Sequence, residues 1–152
     1  MSSRDHTHQL MKEIGPLMGL LEVTAFNDQT LWTLVLEDET VIFADFHEDQ
    51  KRLTLSANVG APLETERDKI YAQLLQYNNQ WQETDGVRMA VDSEDEIVQL
   101  FDLSVVDLEL SKLETVIDNF VSVLKGWRDI LSHTYSDIPM PESFLSSNVI
   151  KV

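Results

Sequence analysis

The residues best equipped for chemistry are few and poorly placed for it. His6 and His8 flank Thr7 and offer two imidazoles, but no third ligand follows at helical spacing and the chain has no cysteine, so no metal centre is expected. His47 and His133 stand alone near acidic turns. Glu37-Asp38-Glu39 and Asp92-Ser93-Glu94-Asp95-Glu96 hold the oxygen ligands that calcium prefers, yet the second lacks the glycine and the distal glutamate of an EF-hand loop. Both clusters read as acidic turns that keep strand edges from aggregating. Paired carboxylates do acid–base work only in a pocket that shifts one of their pKa values, and nothing marks one. Neither a glycine-rich phosphate loop nor a G-x-S-x-G elbow is present, and a cysteine nucleophile is impossible. The expectation is a protein that is not an enzyme and needs no cofactor.

The surrounding elements have a clearer logic. Thr30 to Leu36, Val41 to Phe46 and Arg52 to Val59 are short runs rich in β-branched and aromatic residues, separated by polar clusters, and predict a three-stranded meander. Its apolar residues do not fall only on alternate positions. Leu31-Trp32, Leu34-Val35-Leu36 and Val41-Ile42-Phe43 put large side chains on both faces, whereas a sheet with one wet face alternates. Either helices cover both faces or one face is kept apolar for a partner.

Before the meander, Leu10, Ile14, Leu17, Met18 and Leu21 recur at helical spacing, with Gly15-Pro16 predicting a kink or a break and Gly19 a stop. Leu21 to Phe26 reads as an extended lead-in and Asn27-Asp28 as a turn. After Pro62, a helix capped near Thr65 carries Leu63, Ile70, Leu74, Tyr77 and Trp81, with Tyr71 and Leu75 widening the stripe. Val87, Met89 and Val91 alternate in one strand, and Ile97 to Val105 forms the next. Leu110, Leu113, Ile117, Phe120, Leu124, Trp127 and Leu131 step by three and four along a last helix, Asp107 to Ser132.

The order predicts an α+β fold, α-βββ-α-ββ-α, with a twisted, largely antiparallel five-stranded sheet and three helices in one domain over 1–132. Residues 133–152, with Pro139 and Pro141, read as an extended tail holding apolar Phe144-Leu145 and Val149-Ile150.

At 152 residues, 27 acidic side chains oppose 11 basic ones, a formal charge of −16. Such a surface repels phosphate backbones and anionic lipid, which argues against nucleic-acid and membrane partners. The N-terminal MSSRDHTHQLMKEIG is charged where a signal peptide is apolar, so a soluble cytoplasmic protein is expected. The apolar surplus of the sheet and helices points to a surface that meets another chain.

With that order in view, the chain resembles the class I type III secretion chaperones, the Tir-chaperone-like family, from about Leu10 to Leu131. The carriers are LEVTAFNDQTLWTLVLED, TVIFADF, RLTLSANVG, ERDKIYAQLLQYNNQW, VRMAVDSEDEIVQLFDL and LSKLETVIDNFVSVLKGWRDIL. Gly15-Pro16 and the long tail depart from the family pattern. The resemblance implies a bacterial, cytoplasmic homodimer that holds the N-terminal segment of a secreted effector extended, soluble and ready for secretion. It adds the secretion ATPase as a further candidate partner and implies no bound cofactor.

By the same resemblance, the effector groove falls to Leu10, Ile14, Leu17, Met18, Phe26, Trp32, Leu34, Phe43 and Phe46. The dimer contact falls to Tyr71, Leu74, Leu75, Tyr77, Val87, Met89 and Val91. Two rivals remain from the residues alone: a small acidic inhibitor or immunity-type protein that blocks a basic enzyme surface, and an enzyme whose site is unrecognised. Salt sensitivity separates the first rival, because charge-led association weakens with ionic strength while apolar docking does not. A deep pocket with perturbed carboxylates or histidines would mark the second.

Overall fold

The computed structural model describes residues 2–84 and 86–133. The expectations for the tail beyond His133, Pro139, Pro141, Phe144, Leu145, Val149 and Ile150 included, lie outside the described residues.

Helix α1 spans Ser3–Met18. Ser2 caps it: the Asp5 amide donates to the Ser2 hydroxyl oxygen at 3.1 Å, and that hydroxyl donates to the Asp5 carboxylate at 2.9 Å. The hydroxyl's donation holds the Asp5 carboxyl below the usual carboxylate value. The helix is continuous through Gly15-Pro16, where a kink or break was expected. Pro16 lies two residues from the helix end, so its missing N–H deprives only the Lys12 carbonyl of its i+4 donor. Gly15 is buried, and a Cβ on it would come within 3.1 Å of Val23 Cγ2, so the glycine serves close approach of the helix to the following strand. Gly19 ends the helix in the left-handed region, φ 64°, as its position predicts.

Six strands form one sheet in the order β1-β2-β3-β4-β6-β5: β1 Glu22–Phe26, β2 Leu31–Val35, β3 Val41–His47, β4 Arg52–Gly60, β5 Arg88–Val91 and β6 Ile97–Ser104. The expected lead-in is thus a full strand, which corrects five strands to six. A 3-10 turn, Glu64–Glu66, precedes α2, Arg67–Asn79, and no side chain caps that helix. A separate single turn, α3 Trp81–Thr84, takes Trp81 off the α2 stripe, and α4 runs Leu110–Ser132. The described residues hold four α-helices where three were expected.

The described residues form two compact units, one from those up to Ala57 with Phe101–Ile117, the other from those in Asn58–Leu100 with 118–133. In the first unit, Trp32, Leu34, Ile42, Ala44, Phe46, Leu53 and Leu55 fill the buried face of β2, β3 and β4, and Leu10, Met11 and Ile14 of α1 are buried with them. In the second, Tyr77 and Trp127 meet edge to face, 5.2 Å between centroids. Burial lifts the Tyr77 phenol above its ordinary value near 10, partly opposed by the Trp127 indole packed against it. Gln99, wholly buried on β6, donates to the Phe120 carbonyl at 2.9 Å.

Candidate partner-binding groove

A groove of about 920 Å³ runs along α1 and β1. Met11, Gly15 and Pro16 supply the helix side, Val23 and Ala25 the strand side, Leu20 and Leu21 one end, and Trp32 part of the apolar lining; Asp5, His8, Gln9 and Lys12 stand beside them. Glu22 and Gln29 join these polar side chains, so the lining is mixed rather than predominantly apolar.

Two side chains of α1 fix its first half against the turn that ends β1. Asn27, Asp28 and Gln29 all take left-handed backbone, φ 50°, 55° and 66°. Arg4 donates to the Asp28 carbonyl at 2.7 Å, and His8 Nε2 lies 3.1 Å from the Gln29 carbonyl while its ring meets Trp32 edge to face at 5.6 Å. His6 turns instead to the Leu108 carbonyl, 2.7 Å away. Residues i and i+2 of a helix point to opposite sides, so the two histidines serve different elements. Among the described residues, no group of three or more His, Cys, Asp or Glu could hold a metal ion.

The strand side of the groove is also the end of the sheet. The Phe46 amide donates to the Thr30 carbonyl at 2.7 Å, which sets the phase of the β2–β3 ladder. Trp32 and Leu34 then bond toward β3, and Leu31, Thr33 and Val35 bond toward β1, where the register pairs them with Phe26, Thr24 and Glu22. The backbone groups of Val23 and Ala25 therefore point outward, and no partner for them is present among the described residues. This edge is open.

The same register shapes the outer sheet face. Phe26 lies beside Leu31, Thr33 beside Phe43 and Val35 beside Val41. Phe26 and Phe43 are 46% and 41% exposed, too much for core aromatics. The face turns polar past them: His47 Nε2 is 3.1 Å from the Thr54 hydroxyl oxygen, which donates to Asp102 at 2.6 Å, and Asp45 pairs across the ladder with Thr54. Of the two arrangements the composition allowed, one face is buried and the other keeps exposed aromatics.

The expected groove residues divide. Trp32 lines the groove, Leu17, Phe26 and Phe43 are exposed and Met18 is half-buried. Leu10, Ile14, Leu34 and Phe46 are core, because the helix face and strand face that carry them are turned inward. Helical spacing finds an apolar face but cannot say what covers it. Leu20, Leu21, Val23 and Ala25 were missed as groove residues; the signal for them was Gly15, a buried helix glycine marking where a strand comes close.

Of the expected dimer residues, Leu74, Tyr77, Val87 and Met89 are buried within the second unit, Tyr71 is half-buried, and Leu75 and Val91 are exposed, as is Trp81 nearby in sequence. No described helix is long and apolar enough to cross a membrane.

The model of the Tir chaperone protein (CesT) family matches residues 9–128. Among curated proteins, none matches the sequence significantly. In solved structures the chain is similar to one from the ExsC-ExsE complex, at 18% identity and TM-score 0.74, covering 89% of this chain and 100% of that one. It is similar to a chain of the HopA1-SchA chaperone–effector complex at 12% identity and TM-score 0.66, covering 84% and 96%. It is also similar to a chain from the complex of the Yersinia pestis type III secretion chaperone SycH with a fragment of YscM2, at 18% identity and TM-score 0.61, covering 82% and 98%. At these identities the likeness concerns the fold.

Proposed function

Since the chain belongs to the Tir chaperone protein family, we propose that it is a type III secretion chaperone that binds the N-terminal segment of a secreted effector in the bacterial cytoplasm and keeps it soluble and extended. The observation that carries this reading is the groove along α1 that opens onto the unpaired edge of β1. An extended segment placed there pairs its backbone with Val23 and Ala25 and alternates its side chains between the groove and the outer face beside Phe26. Leu17, Met18 and Phe43 extend the apolar surface available to it. Backbone pairing supplies affinity that is indifferent to sequence, and the pockets select apolar side chains.

The chaperone works as a homodimer through the α2–β5 region, with Leu75, Trp81 and Val91 as its exposed apolar contacts and the buried Leu74, Tyr77 and Met89 holding them from beneath. The secretion ATPase receives the loaded complex. No reaction and no cofactor enter this function.

Affinity purification from a type III-secreting bacterium, followed by limited proteolysis of the captured complex, tests the proposal. The expected result is a secreted protein protected only near its N-terminus, retained at high salt. Capture that collapses with salt and protects a folded basic domain supports the inhibitor reading instead. Light scattering at micromolar concentration checks the dimer, and a monomer would overturn that part.

A further inference from the structure

The other end of the sheet is treated differently. β5 is the terminal strand, and the Asp92 amide donating to the Glu96 carbonyl at 2.9 Å sets the phase of the β5–β6 hairpin. Arg88 and Ala90 bond toward β6, so Val87, Met89 and Val91 present their backbone groups outward. Two of these three positions are already occupied, one by a side-chain amide and one by the carbonyl and hydroxyl of a threonine. The Asn78 amide spans Met89: its Nδ2 donates to the Met89 carbonyl at 2.9 Å, and the Met89 amide donates to Asn78 Oδ1 at 2.8 Å. Thr84, itself buried, covers Val87: its carbonyl accepts the Val87 amide at 3.2 Å, and its hydroxyl donates to the Val87 carbonyl at 3.2 Å.

We propose that Asn78 and Thr84 close the β5 edge to strand addition, so that this sheet accepts an extended polypeptide only at β1. An asparagine amide carries one donor and one acceptor in the spacing of a peptide group, so at Met89 it takes the place that a neighbouring strand would occupy. Edge strands invite pairing with other chains, including second copies of the same chain, and a protein that holds an unfolded client must keep only the productive edge available. Val91 is left uncovered among the described residues, at the start of the Asp92–Glu96 turn, which is too short to nucleate a ladder. That only β1 takes the client rests on the proposed function. The closure of β5 does not.

The test reads the edge without any client. Amide exchange is followed in the wild-type chain and in Asn78→Ala, Asn78→Asp and Thr84→Val, with light scattering across a concentration series. Asn78→Ala is expected to speed exchange at Met89 at least tenfold while Val98 and Leu100 of β6 stay protected, and to assemble beyond the wild-type state as concentration rises. Asn78→Asp keeps the acceptor for the Met89 amide and loses the donor, so that amide stays protected. It carries the test if Asn78→Ala does not fold, its assembly then rising above wild type because the Met89 carbonyl is freed. Thr84→Val preserves shape and frees the Val87 carbonyl while the Val87 amide keeps its bond to the Thr84 carbonyl, so exchange at Val87 stays as in the wild type and only assembly rises. Unchanged Met89 exchange in Asn78→Ala, or assembly identical to wild type at every concentration in all three variants, would overturn the proposal. A client that binds elsewhere than β1 changes neither readout.

Discussion

The two ends of this sheet solve the same problem in opposite ways. At β1 the outward groups of Val23 and Ala25 have no partner among the described residues, beside a groove of mixed lining. At β5 the outward groups of Val87 and Met89 are satisfied by Thr84 and Asn78. A sheet edge is thus not sticky or inert by its strand sequence alone. It depends on whether a neighbouring element spends a side chain on it.

The sharpest way to break the contrast is a proline at Ala25. Its N–H points away from β2, so the substitution removes a donor from the open edge without taking one from the ladder. Client affinity should fall about 30-fold or more, roughly 2 kcal/mol, by calorimetry, with thermal stability nearly unchanged. Thr24→Pro is the control, because it strikes an amide that faces β2 and should unfold the strand.

Next comes Gly15→Val, which forces α1 away from Val23 and should destabilise the chain by about 2 kcal/mol in urea titration while distorting the groove. At the closed end, Tyr77→Phe probes the packing beneath α2. Burial keeps the Tyr77 phenol neutral in the folded state above the value near 10 at which it ionises once unfolded, so stability falls as pH rises past 10. The variant should lose that alkaline slope, read by urea unfolding between pH 9 and 11. The smallest effect belongs to Ser2→Ala, which removes the α1 cap. Asp5 is depressed by the Ser2 hydroxyl, so its contribution exists above the ordinary carboxylate value of 3.8 and is lost as pH falls through the folded one. Circular dichroism below pH 5 should show the two proteins converging.

The meander and the last helix were legible because both carry strong periodicity: Leu53, Leu55 and Ala57 alternate, and Leu113, Ile117, Phe120, Leu124 and Trp127 trace one buried stripe. β1 was not, because a strand open along one edge needs little apolar content, and Glu22, Ala25 and Phe26 are all exposed. α3 is a single turn, too short for a period to register. Of the residues the family resemblance assigned to a groove, Leu10, Ile14, Leu34 and Phe46 are interior, since a periodic apolar face has the same pattern whether it meets the chain's own core or another protein. Asn78 gave no signal at all: an asparagine near a helix end reads as a terminator, and its use as a surrogate strand becomes visible only once β5 lies beside it.

Each compact unit is discontinuous in the chain, the first needing Phe101–Ile117 and the second needing residues 118–133. On the ribosome, then, neither can finish while the polypeptide is still short. The strands through Ala57 emerge and wait for Phe101–Ile117, and synthesis at about 5–20 residues per second makes that wait several seconds long. The nascent chain passes through this interval with β1 already able to pair with β2 and its outer edge facing solvent. A protein proposed to keep another chain from premature association has its own such exposure to survive at birth, and its first hundred residues already carry 19 acidic against 7 basic side chains, a balance that disfavours association between like-charged copies.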